Sequence, residues 1–165
     1  MSKGTMMGLL MCILLLGSML AGCPAPQVDV EDDPVAEPVW SIAIEGVEGV
    51  EEFTDIDAAK LAMITVDVVQ RRRDGTETPQ SWEGIPLRNV MDHLGVIEFS
   101  SIVVIAGDDY TMEYTPDIVN ADDSILGLLL DGEALDEKRA PAQTIIGGKP
   151  ARYWVRNVVR ITVNK

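Results

Sequence analysis

The chain has 165 residues, 13 of them basic and 27 acidic, for a formal net charge of −14. That length supports one domain with a full hydrophobic core and leaves little for a second. So negative a field excludes nucleic acid and electrostatic attachment to anionic lipid, since both would be repelled.

Residues 1–22 read as a targeting segment. Lys3 is the only charge before Asp29, Leu9 to Leu16 form an apolar run too short to span a bilayer, and Leu20-Ala21-Gly22-Cys23 places small residues at a cleavage position. This ending resembles the lipobox of prokaryotic lipoproteins. The resemblance implies cleavage before Cys23, a lipid on its sulfur, and display at the extracytoplasmic face of the cell envelope, with the membrane as partner through that lipid. A plain secretory signal or an uncleaved anchor, with Cys23 incidental, is the alternative. Residues 23–38 are rich in proline and acid and bury little, so an extended tether is expected there, with a partner-binding acidic tract as the lesser reading.

The folded domain is expected over 39–165. Trp40, Ile42 and Ile44 alternate with polar or small residues and predict a first strand. Thr54, followed by Asp55 and Asp57, is a capped start for a short helix. Met63 to Gln70 alternates again, with Ile64, Val66 and Val68 on one face of a strand. Arg71 to Pro79 reads as a loop. Within it Arg71, Arg72 and Arg73 stand out in so acidic a chain, because guanidinium groups recognise phosphate or carboxylate bidentately. The alternative is a solvated strand end that neutralises nearby carboxylates.

The clearest local signal follows. Gly84 permits a backbone conformation closed to side chains, Pro86 fits the first turn of a helix, and Leu87, Val90, Met91 and Leu94 form one apolar stripe that Gly95 ends. Ser101 to Ala106 is a β-branched run expected to be buried on both faces. Strands are expected at Thr111 to Thr115, Ile125 to Leu130, Gln143 to Ile146 and Tyr153 to Val163, the last with Val159, Ile161 and Val163 inward. Many short strands and a few short helices make an α+β domain dominated by sheet.

Four motifs stand in register over roughly the last hundred residues: Trp82-Glu83-Gly84-Ile85-Pro86-Leu87, Gly107-Asp108-Asp109-Tyr110, Leu130-Asp131-Gly132-Glu133-Ala134-Leu135, and Ala140-Pro141 through Tyr153-Trp154-Val155-Arg156-Asn157-Val158. Together they resemble the molybdopterin-binding domain of the sulfite oxidase family in its small stand-alone form. The resemblance implies layered sheets and a polar groove for a pterin cofactor. In that family a cysteine thiolate upstream of the Trp-x-Gly-x-Pro-Leu stretch ligates molybdenum; Met63 to Ser81 holds no cysteine here, and the arginines stand in that neighbourhood. The expected role is therefore a binding or interaction module rather than an enzyme, working without a metal or cofactor. The alternative is an oxidoreductase that holds molybdopterin non-covalently.

The residues marked for an anion or cofactor are Arg71, Arg72, Arg73, Lys149, Arg152 and, outside the main set, Arg156. Trp82, Tyr110, Tyr153 and Trp154 join them as an aromatic wall, unless they are simply core. The Gly147-Gly148-Lys149-Pro150 loop either lets backbone approach a ligand or is a plain turn. His93, the only histidine, falls in the last turn of its helix, where the dipole favours it structurally. One histidine and no thiol in the domain disfavour zinc. A Ser-His-Asp arrangement would have to use His93, and no nucleophile motif sits near it in sequence. The Asp108-Asp109 and Asp122-Asp123 pairs lack the spacing of a calcium loop.

Overall fold

In a computed structural model of the chain, the structure describes residues 37–72 and 74–165. The expected signal segment, Cys23, most of the tether and Arg73 lie outside the described residues. No helix among the described residues is long and apolar enough to cross a membrane.

The elements run β1 (Ser41–Glu45), β2 (Glu52–Thr54), α1 (Asp55–Ala58), β3 (Ile64–Arg71), β4 (Glu77–Pro86) and α2 (Leu87–His93). Then come β5 (Ser101–Ala106), β6 (Thr111–Tyr114), α3 (Pro116–Val119), β7 (Ser124–Leu130), β8 (Glu133–Ala134), β9 (Gln143–Ile146) and β10 (Val158–Asn164). A 3-10 turn at Ala151–Tyr153 separates the last two strands.

Two sheets divide these strands. The first has the order β2-β1-β10-β5-β6, with β1 and β10 parallel and the other pairs antiparallel. The second has the order β3-β4-β7, and the far edge of β7 is shared by β9 along Ser124 to Gly127 and by β8 at Leu129 and Leu130. Ile42, Ile102, Val104 and Ile161 of the first sheet join Trp82, Ile85, Leu126 and Ile145 of the second in one buried cluster with Leu87, Val90 and Met91. This is the sheet-dominated α+β domain the sequence pattern calls for.

The helix α2 keeps its expected stripe and stop. Leu87, Val90, Met91 and Leu94 are buried. Gly95 has φ 73°, the Val96 N–H donates to the Met91 carbonyl at 2.9 Å, and the Gly95 N–H donates to that of Asp92 at 3.0 Å. Those two bonds are the Schellman ending, closed by the buried pair Met91 and Val96.

Three local expectations change. The loop expected from Arg71 to Pro79 is a tight hairpin, and Glu77 to Pro86 is a ten-residue strand. Polar Glu-Thr-Pro-Gln-Ser reads as a loop, but its pairing with β3 holds it extended. Gly84 is glycine for closeness rather than for a left-handed φ: a Cβ there would collide with the Leu126 carbonyl, where the β4–β7 register shifts. The last strand, expected from Tyr153, begins only at Val158, and a register shift between Val158 and Arg160 turns Val158 inward and leaves Val159 exposed.

Candidate functional site

The segment after β9 is clamped from beneath by one hydrogen-bond network. Tyr114 on β6 is fully buried and its hydroxyl donates to the Tyr153 carbonyl at 2.5 Å. With that proton committed, the Thr144 hydroxyl, 2.7 Å away, donates to the Tyr114 oxygen. The Thr144 oxygen in turn accepts the Val155 N–H at 2.8 Å. Burial pushes the Tyr114 phenol above its ordinary pKa, so it stays a neutral donor. Beside this, the Trp154 indole N–H donates to the Ile146 carbonyl at 3.0 Å, and the Tyr110 hydroxyl donates to the Arg152 carbonyl at 2.5 Å.

Pinned at four successive residues, the turn throws its charged side chains outward. Arg152 and Lys149 flank the Tyr153 ring, with the guanidinium carbon 5.2 Å and the ammonium 5.8 Å from its centroid. Gly147 is required by close approach, because a Cβ there would run into the Asp123 carboxylate.

Around this turn lie three adjoining pockets. The central one, about 520 Å³, is lined by Gln70, Arg71, Arg72, Pro150, Ala151, Arg152 and Arg156. No carboxylate lines it among the described residues. A second, about 370 Å³, shares Arg71 and Pro150 with it and extends along Asp67, Val68 and Val69 beneath Gly147 to Lys149, with Asp123 and Trp154 in its wall. A third, about 360 Å³, shares Arg152 and Arg156 and reaches Tyr110 and Asp108. Arg71 is paired with Glu77 at 2.8 Å, whereas Arg72, Arg152 and Arg156 have no ion-pair partner among the described residues.

Of the residues marked from sequence, Arg71, Arg72, Lys149, Arg152, Tyr110 and Trp154 all line this trough. Arg156 does so too and belongs with the main set. Trp82 does not. It is fully buried, its indole N–H donates to Gln80 at 3.1 Å, and its ring fills the space over Gly127. Tyr153, marked with the aromatic wall, carries Lys149 and Arg152 over its ring instead. Gln70, Tyr114 and Thr144 gave no functional signal in the sequence, because Tyr114 and Thr144 act through partners distant along the chain and Gln70 through the pocket it lines. His93 lies elsewhere, with its Nε2 3.4 Å from Asp57 and its ring edge-on to Phe53.

The family model described as "Oxidoreductase molybdopterin binding domain" matches residues 34–165. Among solved structures, the crystal structure of the sulfane dehydrogenase SoxCD from Paracoccus pantotrophus is similar in fold, with a TM-score of 0.68 and 20% sequence identity. The similarity covers 79% of this chain and 39% of that one, so this chain spans well under half of its length. No curated protein matches the sequence.

Proposed function

Because the chain belongs to the family of oxidoreductase molybdopterin-binding domains, we propose that it uses that family's frame as a binding module for an anionic ligand. In this reading it is held by lipid on Cys23 at the extracytoplasmic face of the cell envelope. The observation that carries the proposal is the convergence of Arg71, Arg72, Arg152 and Arg156 on one pocket that no carboxylate lines among the described residues. In so acidic a protein, guanidinium groups gathered at one place, three of these four without an ion-pair partner among the described residues, concentrate anions there. Planar, bidentate donors suit phosphate and carboxylate alike.

The cofactor implied by the family fits only in part. The arginine pocket matches the phosphate-bearing end of a pterin. The metal end has no match, since the sequence holds cysteine only at positions 12 and 23, both before the domain. Among the described residues no three His, Cys, Asp or Glu side chains are grouped to hold a metal. A soft thiolate is the ligand such a centre calls for. An oxidoreductase or electron-transfer component that holds molybdopterin non-covalently is the second reading, and the family match is what favours it.

The test uses the full-length protein purified from membranes of a host that makes molybdopterin. Molybdenum far below one atom per chain, together with saturable binding of inorganic diphosphate, is the expected result. Exchanging Arg152→Glu and Arg156→Glu together should weaken diphosphate at least ~10-fold while leaving the fold intact, because both side chains are exposed. Near-stoichiometric molybdenum and pterin would overturn the module in favour of the oxidoreductase. For the anchor, Cys23→Ser should move the protein from the membrane to the soluble fraction; persistent membrane retention would count against lipid attachment.

A further inference from the structure

The trough is bordered by the free edge of a sheet. β3 ends the second sheet, with β4 on one side and no strand on the other among the described residues. Which of its backbone groups are free follows from the register. Across the hairpin the Arg72 N–H donates to the Thr76 carbonyl at 2.9 Å. Pairing then continues unshifted from Arg71 opposite Glu77 to Ile64 opposite Gly84. Bonded and non-bonded positions alternate in an antiparallel ladder. Gln70, Val68, Val66 and Ile64 therefore bond to β4, while Arg71, Val69, Asp67 and Thr65 turn their N–H and C=O groups outward.

These outward groups open into the trough rather than onto bare surface. Asp67, Val69 and Arg71 line the pocket beneath Gly147 to Pro150, and Arg71 continues into the arginine pocket. An unpaired edge of this length is a template for another strand. Little guards it: β3 has no proline and no bulge. Its one carboxylate, Asp67, accepts from the Ser81 hydroxyl at 2.7 Å and is drawn back onto β4.

Charge then selects the occupant. At the Arg71 end the trough is lined by four guanidinium groups and, among the described residues, no acid. Farther along, Asp67 and Asp123 balance Arg71 and Lys149, and Val68, Val69 and Trp154 supply apolar surface. A fitting strand thus carries carboxylates at one end and neutral or apolar residues at the other. A second copy of this chain fits poorly, since each copy bears a formal charge of −14.

We propose that the trough captures an extended acidic segment of a partner protein by adding it to β3 as a further strand, its carboxylates seated on Arg71, Arg72, Arg152 and Arg156. The backbone bonds to β3 supply affinity and the guanidinium groups fix register. This partner class rests on the anion-binding module proposed above and gives it its ligand.

The probes are a short synthetic peptide alternating glutamate with threonine, its analogue N-methylated at every second residue, and inorganic diphosphate, each titrated into the full-length protein at low salt. The acidic peptide should bind, N-methylation should weaken it at least ~10-fold, and amide exchange should slow across Thr65 to Arg71. Val69→Pro removes one outward donor without touching a bond to β4, so it should weaken the peptide by a similar factor and leave diphosphate unchanged. Equal binding of the N-methylated peptide, or slowed exchange elsewhere only, would overturn strand addition. So would self-association through β3 in sedimentation. Binding of diphosphate without the peptide overturns this inference and spares the module, whereas loss of both overturns both.

Discussion

Trp82 to Gly95 and Gly147 to Arg156 are built from similar residues, each with glycine, proline and tryptophan, and they end in opposite conditions. The first is closed. Trp82, Ile85, Leu87, Val90 and Met91 are buried almost completely, and Gly84 lies against the backbone of β7. The second is open on one side: Trp154 and Val155 are buried, yet Lys149, Arg152 and Arg156 stand in solvent around a trough. What separates them is the support beneath. A closed segment is held by contact on all sides, whereas the open one is held by hydrogen bonds it accepts from Tyr110 and Tyr114 and donates to Thr144 and Ile146, and its outer face is left free for a ligand.

The contrast breaks most easily at the closed end. Trp82→Ala should cost about 3–5 kcal/mol by loss of transfer energy and creation of a cavity, read as a shift in the denaturant midpoint. Binding of diphosphate by the fraction still folded should be unchanged; a weakened affinity there would mean the closed segment also touches ligand. Leu94→Ala belongs to the same class, at about 2–5 kcal/mol, and a change within error would show that the α2 stripe faces no core.

A smaller change probes the support itself. Tyr114→Phe keeps the ring and removes the hydroxyl, leaving the Tyr153 carbonyl without its donor and Thr144 without its acceptor. The expected cost is about 1–3 kcal/mol, with weaker diphosphate binding from a loosened Arg152. Loss of stability with affinity intact would show that the arginine pocket does not depend on the clamp.

The smallest effect lies far from both segments. A hydrogen bond from Lys60 is the chief reason that the Asp57 carboxyl sits at about 2, aided by Thr54 and opposed by partial burial. Its folded value is depressed, so its contribution is complete above the ordinary carboxylate value near 3.8 and fades as pH falls toward 2. The carboxyl is partly solvated, which holds the contribution to about 1 kcal/mol. Asp57→Asn should remove that part of the acid dependence without altering ligand binding; an unchanged acid limb of stability would show that the cap contributes nothing.

Legibility followed the range of the interactions involved. The α2 stripe, its glycine stop, the Thr54 cap and the β-branched β5 strand all depend on neighbours within a few residues, and each appears in the pattern of side chains; that β5 buries Ile102, Val104 and Ala106 but leaves Val103 and Ile105 half-buried does not. The polar first half of β4 was hidden because its strand character comes from β3 and β7 rather than from its own propensity. The inward face of β10 was misassigned for the same reason, since a bulge is a property of the pair. At the site, the arginines and the Gly147 to Pro150 loop were visible as residue types, and Trp82 was marked alongside them although it belongs to the core.

By itself, then, the sequence determined a sheet-dominated α+β domain with the motifs of one family and no cysteine inside it, because periodicity, turn chemistry and composition are local properties. Only the tertiary structure decided that Arg71 and Arg72 meet Arg152 and Arg156 in one pocket. Those pairs are some eighty residues apart in the chain. Their meeting depends on where β3 ends against the turn that follows β9, and on the hydrogen bonds that fix that turn.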